Sequence, residues 1–177
     1  VYQDISIGTR SIVLCQATAR IGTLSLPAGS NVWRIMTSGD FNNDGKPDFF
    51  FQNIQTGERV IGLMDGNTRI GTVALPTGTP AWLAVGTGDF NRDGSVDVVF
   101  QNTQTGERSI ALYQGTTRIG TAAMATGSTL WPIVGAGDFN GDGHTDLVYQ
   151  NTSTGDIILG FFNGTTRTST ATITGAG

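Results

Sequence analysis

The chain has 177 residues, of which 14% are charged and 26 are glycine, with a mean hydropathy of −0.04. This composition is typical of a turn-rich all-β protein and argues against a coiled coil or an acidic disordered chain. The net charge of −4 gives no reason to expect nucleic acid or an anionic membrane as a partner, and no apolar run approaches the roughly 18 residues of a membrane-spanning helix.

A 49-residue repeat runs through the sequence. The motif Gly-Asp-Phe-Asn begins at Gly39, Gly88 and Gly137, which fixes the period. The three tryptophans and four of the arginines keep the same spacing. We therefore predict one continuous array over 1–177. Its units are 1–49, 50–98 and 99–147, followed by a partial unit 148–177.

Each unit predicts four short strands joined by tight turns, and no segment has a helical period long enough to compete. The chain begins in the second strand of a unit, because Val1-Tyr2-Gln3 aligns with Phe50-Phe51-Gln52. In the unit that starts at Trp82, strands are predicted over 82–90, 98–101, 109–113 and 118–124, with an acidic loop over 91–97. The last predicted strand ends near Ile173.

Four short strands repeated at about this length are the signature of a propeller blade. The sequence therefore predicts an all-β protein, a β-propeller with four-stranded antiparallel blades. The fifteen predicted strands are one inner strand short of four blades, and an unclosed arc would leave two exposed sheet edges. We expect additional blades or self-association to complete the ring.

Three nine-residue loops hold nine of the 14 acidic residues, each with the pattern Asp-x-Asn-x-Asp-Gly-x-x-Asp. Oxygen-bearing side chains at the first, third and fifth places can surround one hard cation, and glycine at the sixth place allows the sharp turn. The seventh residue contributes its main-chain carbonyl, and the last aspartate closes the shell. The sequence thus predicts three Ca²⁺ sites. Their ligands are Asp40, Asn42, Asp44, Lys46, Asp48, Asp89, Asn91, Asp93, Ser95, Asp97, Asp138, Asn140, Asp142, His144 and Asp146.

The segment Gly137–Leu147, followed by Gln150-Asn151-Thr152-Ser153-Thr154-Gly155-Asp156, closely resembles repeats of the FG-GAP/VCBS type. The resemblance covers essentially the whole chain and implies an integrin-α-like propeller whose calcium loop joins the first and second strands of a blade. One departure is Ile157, which stands where the earlier units have Arg10, Arg59 and Arg108. The resemblance implies no single activity, because such propellers serve as lectins, adhesion modules and non-catalytic parts of secreted bacterial enzymes.

Carbohydrate binding is the favoured function, since repeated blades display one pocket several times and convert weak binding into avidity. The resemblance extends loosely to propeller lectins that hold sugars between neighbouring blades. Tryptophan can stack on a sugar ring and arginine can donate hydrogen bonds, although the same tryptophans could be wedges between blades and the arginines could bond neighbouring carbonyls. The candidate residues are Trp33, Trp82, Trp131, Arg20, Arg69 and Arg118.

The sequence leaves open a structural or adhesion propeller that binds protein, or a non-catalytic part of a larger secreted protein. We do not expect an enzyme, because the only histidine, His144, lies in a loop and no paired carboxylates remain outside the loops. A polysaccharide lyase or hydrolase is the remote alternative. Such loops suit extracellular calcium, so we expect a secreted, extracellular bacterial protein whose signal peptide is not within this chain.

Overall fold

The computed structural model describes residues 2–3, 9–16, 19–26 and 29–173, and all regular secondary structure in these residues is β-strand. Sheet 1 contains β1 (Tyr2–Gln3), β2 (Arg10–Gln16) and β3 (Ala19–Leu26). Blade 2 contains β4 (Trp33–Gly39), β5 (Asp48–Asn53), β6 (Arg59–Asp65) and β7 (Thr68–Leu75). Blade 3 contains β8 (Trp82–Gly88), β9 (Asp97–Asn102), β10 (Arg108–Gln114) and β11 (Thr117–Met124). Blade 4 contains β12 (Ile133–Gly137), β13 (Asp146–Gln150), β14 (Ile157–Asn163) and β15 (Thr166–Ile173).

Strands that follow one another in the sequence pair in antiparallel order, so that each sheet is a meander. Sheet 1 has three strands and each blade has four. The predicted all-β fold with four-stranded antiparallel blades is therefore confirmed. The largest difference from the predicted boundaries in this blade is that β8 ends at Gly88 rather than at residue 90, because Asp89 already accepts N–H groups of the acidic loop. The other three strands of the blade differ from their predicted bounds by one residue at one or both ends. Within the described residues there is no helix long and apolar enough to cross a membrane.

The first strands of the three blades, β4, β8 and β12, are neighbours along the inner edge of an open arc. Thr87 on β8 donates to the carbonyl of Ser38 on β4 over 2.7 Å, and its hydroxyl lies 3.0 Å from that of Thr37. The second strands of blades 2 and 3 are enclosed on both faces, since every residue of β5 and β9 is buried. The fourth strands are outermost, and every residue of β15 is exposed.

The apolar core lies at the boundaries between sheets. Phe50 of blade 2 meets Phe100 of blade 3 with ring centroids 5.9 Å apart, and Phe90 of blade 3 meets Phe162 of blade 4 at 6.3 Å. Leu26 brings sheet 1 into a third cluster with blade 2. Edge-to-face ring pairs add about 0.5–1.5 kcal/mol beyond the burial of their area. Each blade is therefore stabilised mainly by the blade beside it.

Blade 4 presents an uncovered apolar face at the end of the arc. Phe139 is 47% exposed, whereas its counterparts one and two repeats earlier, Phe90 and Phe41, are 1% and 0% exposed. Val134 is exposed in the same way, while its counterpart Val85 packs into the boundary between blades 3 and 4. This face carries the side chains of a blade boundary, with no described blade against it.

Buried glutamines tie each blade to the next. Gln52 on β5 donates to the carbonyl of Trp82 over 2.8 Å and accepts the N–H of Ala84 over 3.3 Å, both on β8. Gln101 makes an equivalent bond from blade 3 to blade 4. Gln150, at the same place in blade 4, is exposed, and among the described residues its side chain donates to the carbonyl of Gly155 in its own blade.

We expect the substitution Gln52→Ala to destabilise the protein by about 1–3 kcal/mol, because it leaves the buried N–H of Ala84 without an acceptor. The matched control is Gln150→Ala, which should change the free energy of unfolding by less than about 0.5 kcal/mol. Urea unfolding of the two variants measures both values. Equal losses at the two positions would show that the bond between blades contributes nothing.

Candidate metal loops and inter-blade pockets

Each acidic loop joins the first strand of a blade to the second, at the same edge of all three blades. Loops 40–48, 89–97 and 138–146 connect β4 to β5, β8 to β9 and β12 to β13. The sixth residue of each loop has a left-handed backbone: Gly45, Gly94 and Gly143 have φ of 82°, 83° and 80°. Glycine adopts this conformation without a steric penalty, which explains its place in all three loops.

Side-chain oxygens in the first half of each loop accept N–H groups from the second half. Asp40 accepts from Asp44 over 3.0 Å and from Gly45 over 2.7 Å. Asn42 accepts the same N–H of Asp44 over 3.1 Å, and Asp44 accepts the N–H of Lys46 over 2.9 Å. The second loop repeats these bonds, and the third does so with one change of donor. The first, third and fifth side chains are thus held together around the turn.

The last aspartate of each loop is fully buried. Asp97 accepts the N–H of Phe90 in its own loop and the N–H of Tyr113 on β10, both over 2.9 Å. Asp48 and Asp146 make the same two bonds in their blades. The second bond reaches the residue at which the third strand shifts its register against the fourth. These aspartates therefore fasten the loop to the third strand, a role that the sequence did not predict.

The environment shifts the pKa of one buried carboxyl group and of two exposed ones in opposite directions. Burial raises the pKa of Asp97, although main-chain hydrogen bonds oppose the shift. A hydrogen bond from Asn91 lowers the pKa of Asp93, and one from the N–H of Gly143 lowers the pKa of Asp138. The latter two groups are thereby favoured as carboxylates, the form that binds a cation.

Side chains at the seventh place of each loop reach the turn between the third and fourth strands. Lys46 forms an ion pair with Asp65, with 2.8 Å between Nζ and Oδ1. Ser95 Oγ and His144 Nδ1 each accept a glycine N–H of the corresponding turn, at 3.4 Å in both cases. The sequence assigned only the carbonyls of these residues a role, so their contacts between hairpins are an additional finding.

The loops bring oxygen atoms near one another, but the described side chains do not form a complete set of metal ligands. In the part of the chain that the structure describes, no three side chains of His, Cys, Asp or Glu are grouped so that they could hold a metal ion. The three calcium sites therefore stay predictions. The donor chemistry fits Ca²⁺, because the side chains offer hard oxygen atoms, and an oxygen that accepts one N–H keeps another lone pair.

Three pockets repeat at the boundaries between sheets, with volumes of about 430, 240 and 230 Å³. Each is lined by a half-buried tryptophan at the beginning of a blade, an aromatic residue of the second strand and an arginine of the fourth. An inner arginine comes from β2, β6 or β10 of the preceding sheet. The three sets are Arg10, Trp33, Phe51 and Arg69; Arg59, Trp82, Phe100 and Arg118; and Arg108, Trp131, Tyr149 and Arg167.

The inner arginine is wedged between two sheets. In the second pocket, Arg59 donates to the carbonyl of Trp82 over 3.0 Å, and its Cζ lies 4.3 Å from the centroid of the Phe100 ring. A Cβ atom at Gly78 would overlap this guanidinium group, so a larger residue there would displace Arg59 from this position. The inner arginines of the other two pockets repeat the same contacts.

The outer arginines are exposed at the mouths of the pockets. Arg69 and Arg118 each donate through Nε to the main-chain carbonyl two residues along, at 3.3 and 3.4 Å, and Arg118 also donates to the hydroxyl of Thr121. Each guanidinium group keeps further N–H groups for a ligand. Arg20 lies on β3, donates to Thr23, and lines none of the three pockets. The structure therefore brings Arg69 and Arg118, but not Arg20, to a tryptophan, and Arg167 occupies the third place.

A family model of the FG-GAP-like repeat matches residues 40–100 and 89–149, which together span more than half of the chain. The chain belongs to the FG-GAP-like repeat family. Each FG-GAP match begins at the first aspartate of a loop, Asp40 or Asp89, and ends at the pocket aromatic of the next blade, Phe100 or Tyr149. No curated protein and no solved structure matched the chain.

Sequence reasoning did not assign the inner arginines of these FG-GAP repeats to the pockets. Their spacing of 49 residues was visible, as was the change to Ile157 in the last unit. The missing information was spatial, because Arg59 lies in one blade and Trp82 in the next. A periodic arginine placed 23 residues before each FG-GAP tryptophan is the signal that could have found them.

Proposed function

We propose that this chain is a calcium-stabilised, non-catalytic binding module of FG-GAP repeats that holds carbohydrate in the pockets between its blades. The observation that carries the proposal is repetition: the same tryptophan, aromatic and two arginine positions stand together at three successive boundaries. A tryptophan that acted only as a wedge would be enclosed. Trp33, Trp82 and Trp131 are instead half-buried and line open pockets.

The chemistry of the pockets suits a sugar. The apolar face of a sugar ring can pack on an indole ring, while its hydroxyl groups accept hydrogen bonds from a guanidinium group. Volumes of about 230 to 430 Å³ lie near the lower end for small-molecule sites, which favours one sugar unit per pocket. Three such pockets on one scaffold would convert weak single-site affinity into avidity.

Calcium is proposed at the three acidic loops, with the ligand sets predicted from the sequence. Aspartates at the first, fifth and ninth places repel one another, and attraction to a divalent cation would offset that repulsion. An ion that binds only the folded loop stabilises the fold by mass action. Because each loop joins the first two strands of a blade, Ca²⁺ would brace the hairpin that carries the pocket tryptophan and aromatic residue.

We also propose that the protein is secreted and that a further blade covers the uncovered face of blade 4. Extracellular calcium concentrations suit loops of this composition. The exposure of Phe139 and Val134 supports the second point, because their counterparts are packed against a following blade. Additional blades of the same polypeptide or a second copy of the chain would supply the covering surface.

A glycan array tests this proposal. We expect the chain to bind at least one class of glycan above background in the presence of Ca²⁺, and to lose binding and melt at a lower temperature in excess EGTA. An array without any bound glycan would remove the carbohydrate function. Binding and melting that are both unchanged in EGTA would remove the role of calcium.

A further inference from the structure

We infer that the pockets between the blades select acidic sugars, whose carboxylate or sulfate oxygens bind the two arginines of each pocket. This inference rests on the proposed carbohydrate binding and adds the class of ligand. The side chains that line the pockets carry positive charge. Each pocket contains two arginines, and none of the residues described as lining the three pockets is an aspartate or a glutamate.

Both guanidinium groups of the first pocket lie against one aromatic ring. In the first pocket, Arg10 Cζ is 5.2 Å and Arg69 Cζ is 5.1 Å from the centroid of the same ring, that of Phe51. Within the described residues the one ion pair joins Lys46 to Asp65, outside all three pockets. The paired arginines are therefore not neutralised by the described part of the chain.

Each inner arginine has a buried Nε atom without a hydrogen-bond partner among the described residues. Arg108 is 7% exposed, and its Nε has no partner in the described structure. The same holds for the buried Nε atoms of Arg10 and Arg59. Burial lowers the pKa of each of these groups, and the second arginine of the pocket lowers it further. Arginine remains charged despite such shifts. An anion beside the pair would therefore offset the free-energy cost of burying the charges and reduce the repulsion between the two arginines.

The shape of the pocket limits what kind of anion fits. The guanidinium fork matches the planar arrangement of two carboxylate oxygens, and it also binds sulfate oxygens. The tryptophan offers a flat apolar surface next to these cations, which an inorganic anion would leave uncovered. A sugar ring that carries one acidic group uses both surfaces together.

Repetition of the pocket favours an acidic polymer over a free sugar acid. The same cationic pocket recurs once per repeat, so that a chain of acidic sugars can occupy several pockets of one molecule. The outer arginine keeps its place in every described blade, whereas the third-strand residue that also lines the pocket varies among Val60, Ser109 and Ile158.

The test compares probes of equal length and different charge by titration calorimetry in Ca²⁺. The probes are galacturonate oligosaccharides, neutral galactose oligosaccharides and a heparin-derived oligosaccharide. We expect at least one acidic probe to bind about tenfold or more tightly than the neutral one, with an affinity that falls as NaCl is added. The two acidic probes separate carboxylate from sulfate as the source of the anion.

A matched set of variants assigns the effect to the pockets. The double variant Arg69→Gln and Arg118→Gln should weaken acidic binding about tenfold and neutral binding clearly less, because glutamine keeps an N–H donor for a hydroxyl group but loses the charge. Arg20→Gln removes the same charge outside the pockets and should change neither. Equal loss in Arg20→Gln would overturn the inference, as would equal affinity of wild-type protein for acidic and neutral probes. Failure of all three probes and of the glycan array would overturn the proposed function as well.

Discussion

Replacing Phe90 by alanine is expected to destabilise the protein by about 3–5 kcal/mol, the range for removing a buried phenylalanine. Phe90 is 1% exposed and packs against Phe162 of the following blade. The substitution removes apolar contacts from both sides of the boundary and leaves a cavity that two rigid sheets cannot readily close. Urea unfolding followed by tryptophan fluorescence measures the loss.

The chain contains its own control for this result. Phe139 occupies the same place in blade 4 but is exposed, so Phe139→Ala should change the free energy of unfolding of the isolated chain by less than about 0.5 kcal/mol. A loss of several kcal/mol at Phe139 would show that its ring is covered in solution, by a second copy or another blade. Sedimentation of the same samples distinguishes self-association from a monomer.

Replacing Asp97 by alanine is expected to be the second large loss. The change leaves the buried N–H groups of Phe90 and Tyr113 without acceptors, at about 1–3 kcal/mol each. Removing a buried carboxylate also relieves its desolvation, so we expect the lower half of the combined range, roughly 2–4 kcal/mol. Asp97→Asn keeps one acceptor oxygen and should fall between wild type and Asp97→Ala.

Unfolding in Ca²⁺ and in EGTA separates the two roles of Asp97. The loss due to the unpaired N–H groups should persist in EGTA, and a larger loss in Ca²⁺ is expected if the residue is also a metal ligand. The same loss in both solutions would limit Asp97 to fastening the loop to β10. No measurable loss in EGTA would contradict the hydrogen-bonding role itself.

The strands and loops were accessible to sequence reasoning because they depend on short-range chemistry. Glycine at Gly94 fixes a left-handed turn, and the apolar run after Asp97 predicts an enclosed strand, as β9 is. Repetition strengthened each of these indications, since the same pattern recurs in every unit. The prediction failed by two residues at the end of β8, where the hydrogen bonds of Asp89 decide the boundary.

The pockets could be predicted only in part because they depend on contacts between blades. Trp82 and Arg118 belong to one blade and were predicted as ligand-binding residues. Arg59 comes from the preceding blade and was not predicted to bind a ligand. Arg20 has the same period as Arg118 but lines none of the pockets, because it lies in sheet 1, for which no first strand with a tryptophan is described. The hydrogen bond from Gln52 to Trp82 could not be predicted for the same reason, because its two residues are 30 positions apart in the sequence and lie in different blades.

The hydrogen bond between Gln52 and Trp82 also bears on how the array unfolds. Gln52 and Gln101 connect consecutive blades only, and the aromatic clusters do the same. Folding cooperativity in such an array passes from neighbour to neighbour, as in a one-dimensional chain of coupled units. Blade 4, whose Gln150 bonds only within its own blade, has one described coupling where blade 3 has two. Its amide hydrogens should therefore exchange with solvent sooner than those of blade 3, through local opening that leaves the rest of the array folded.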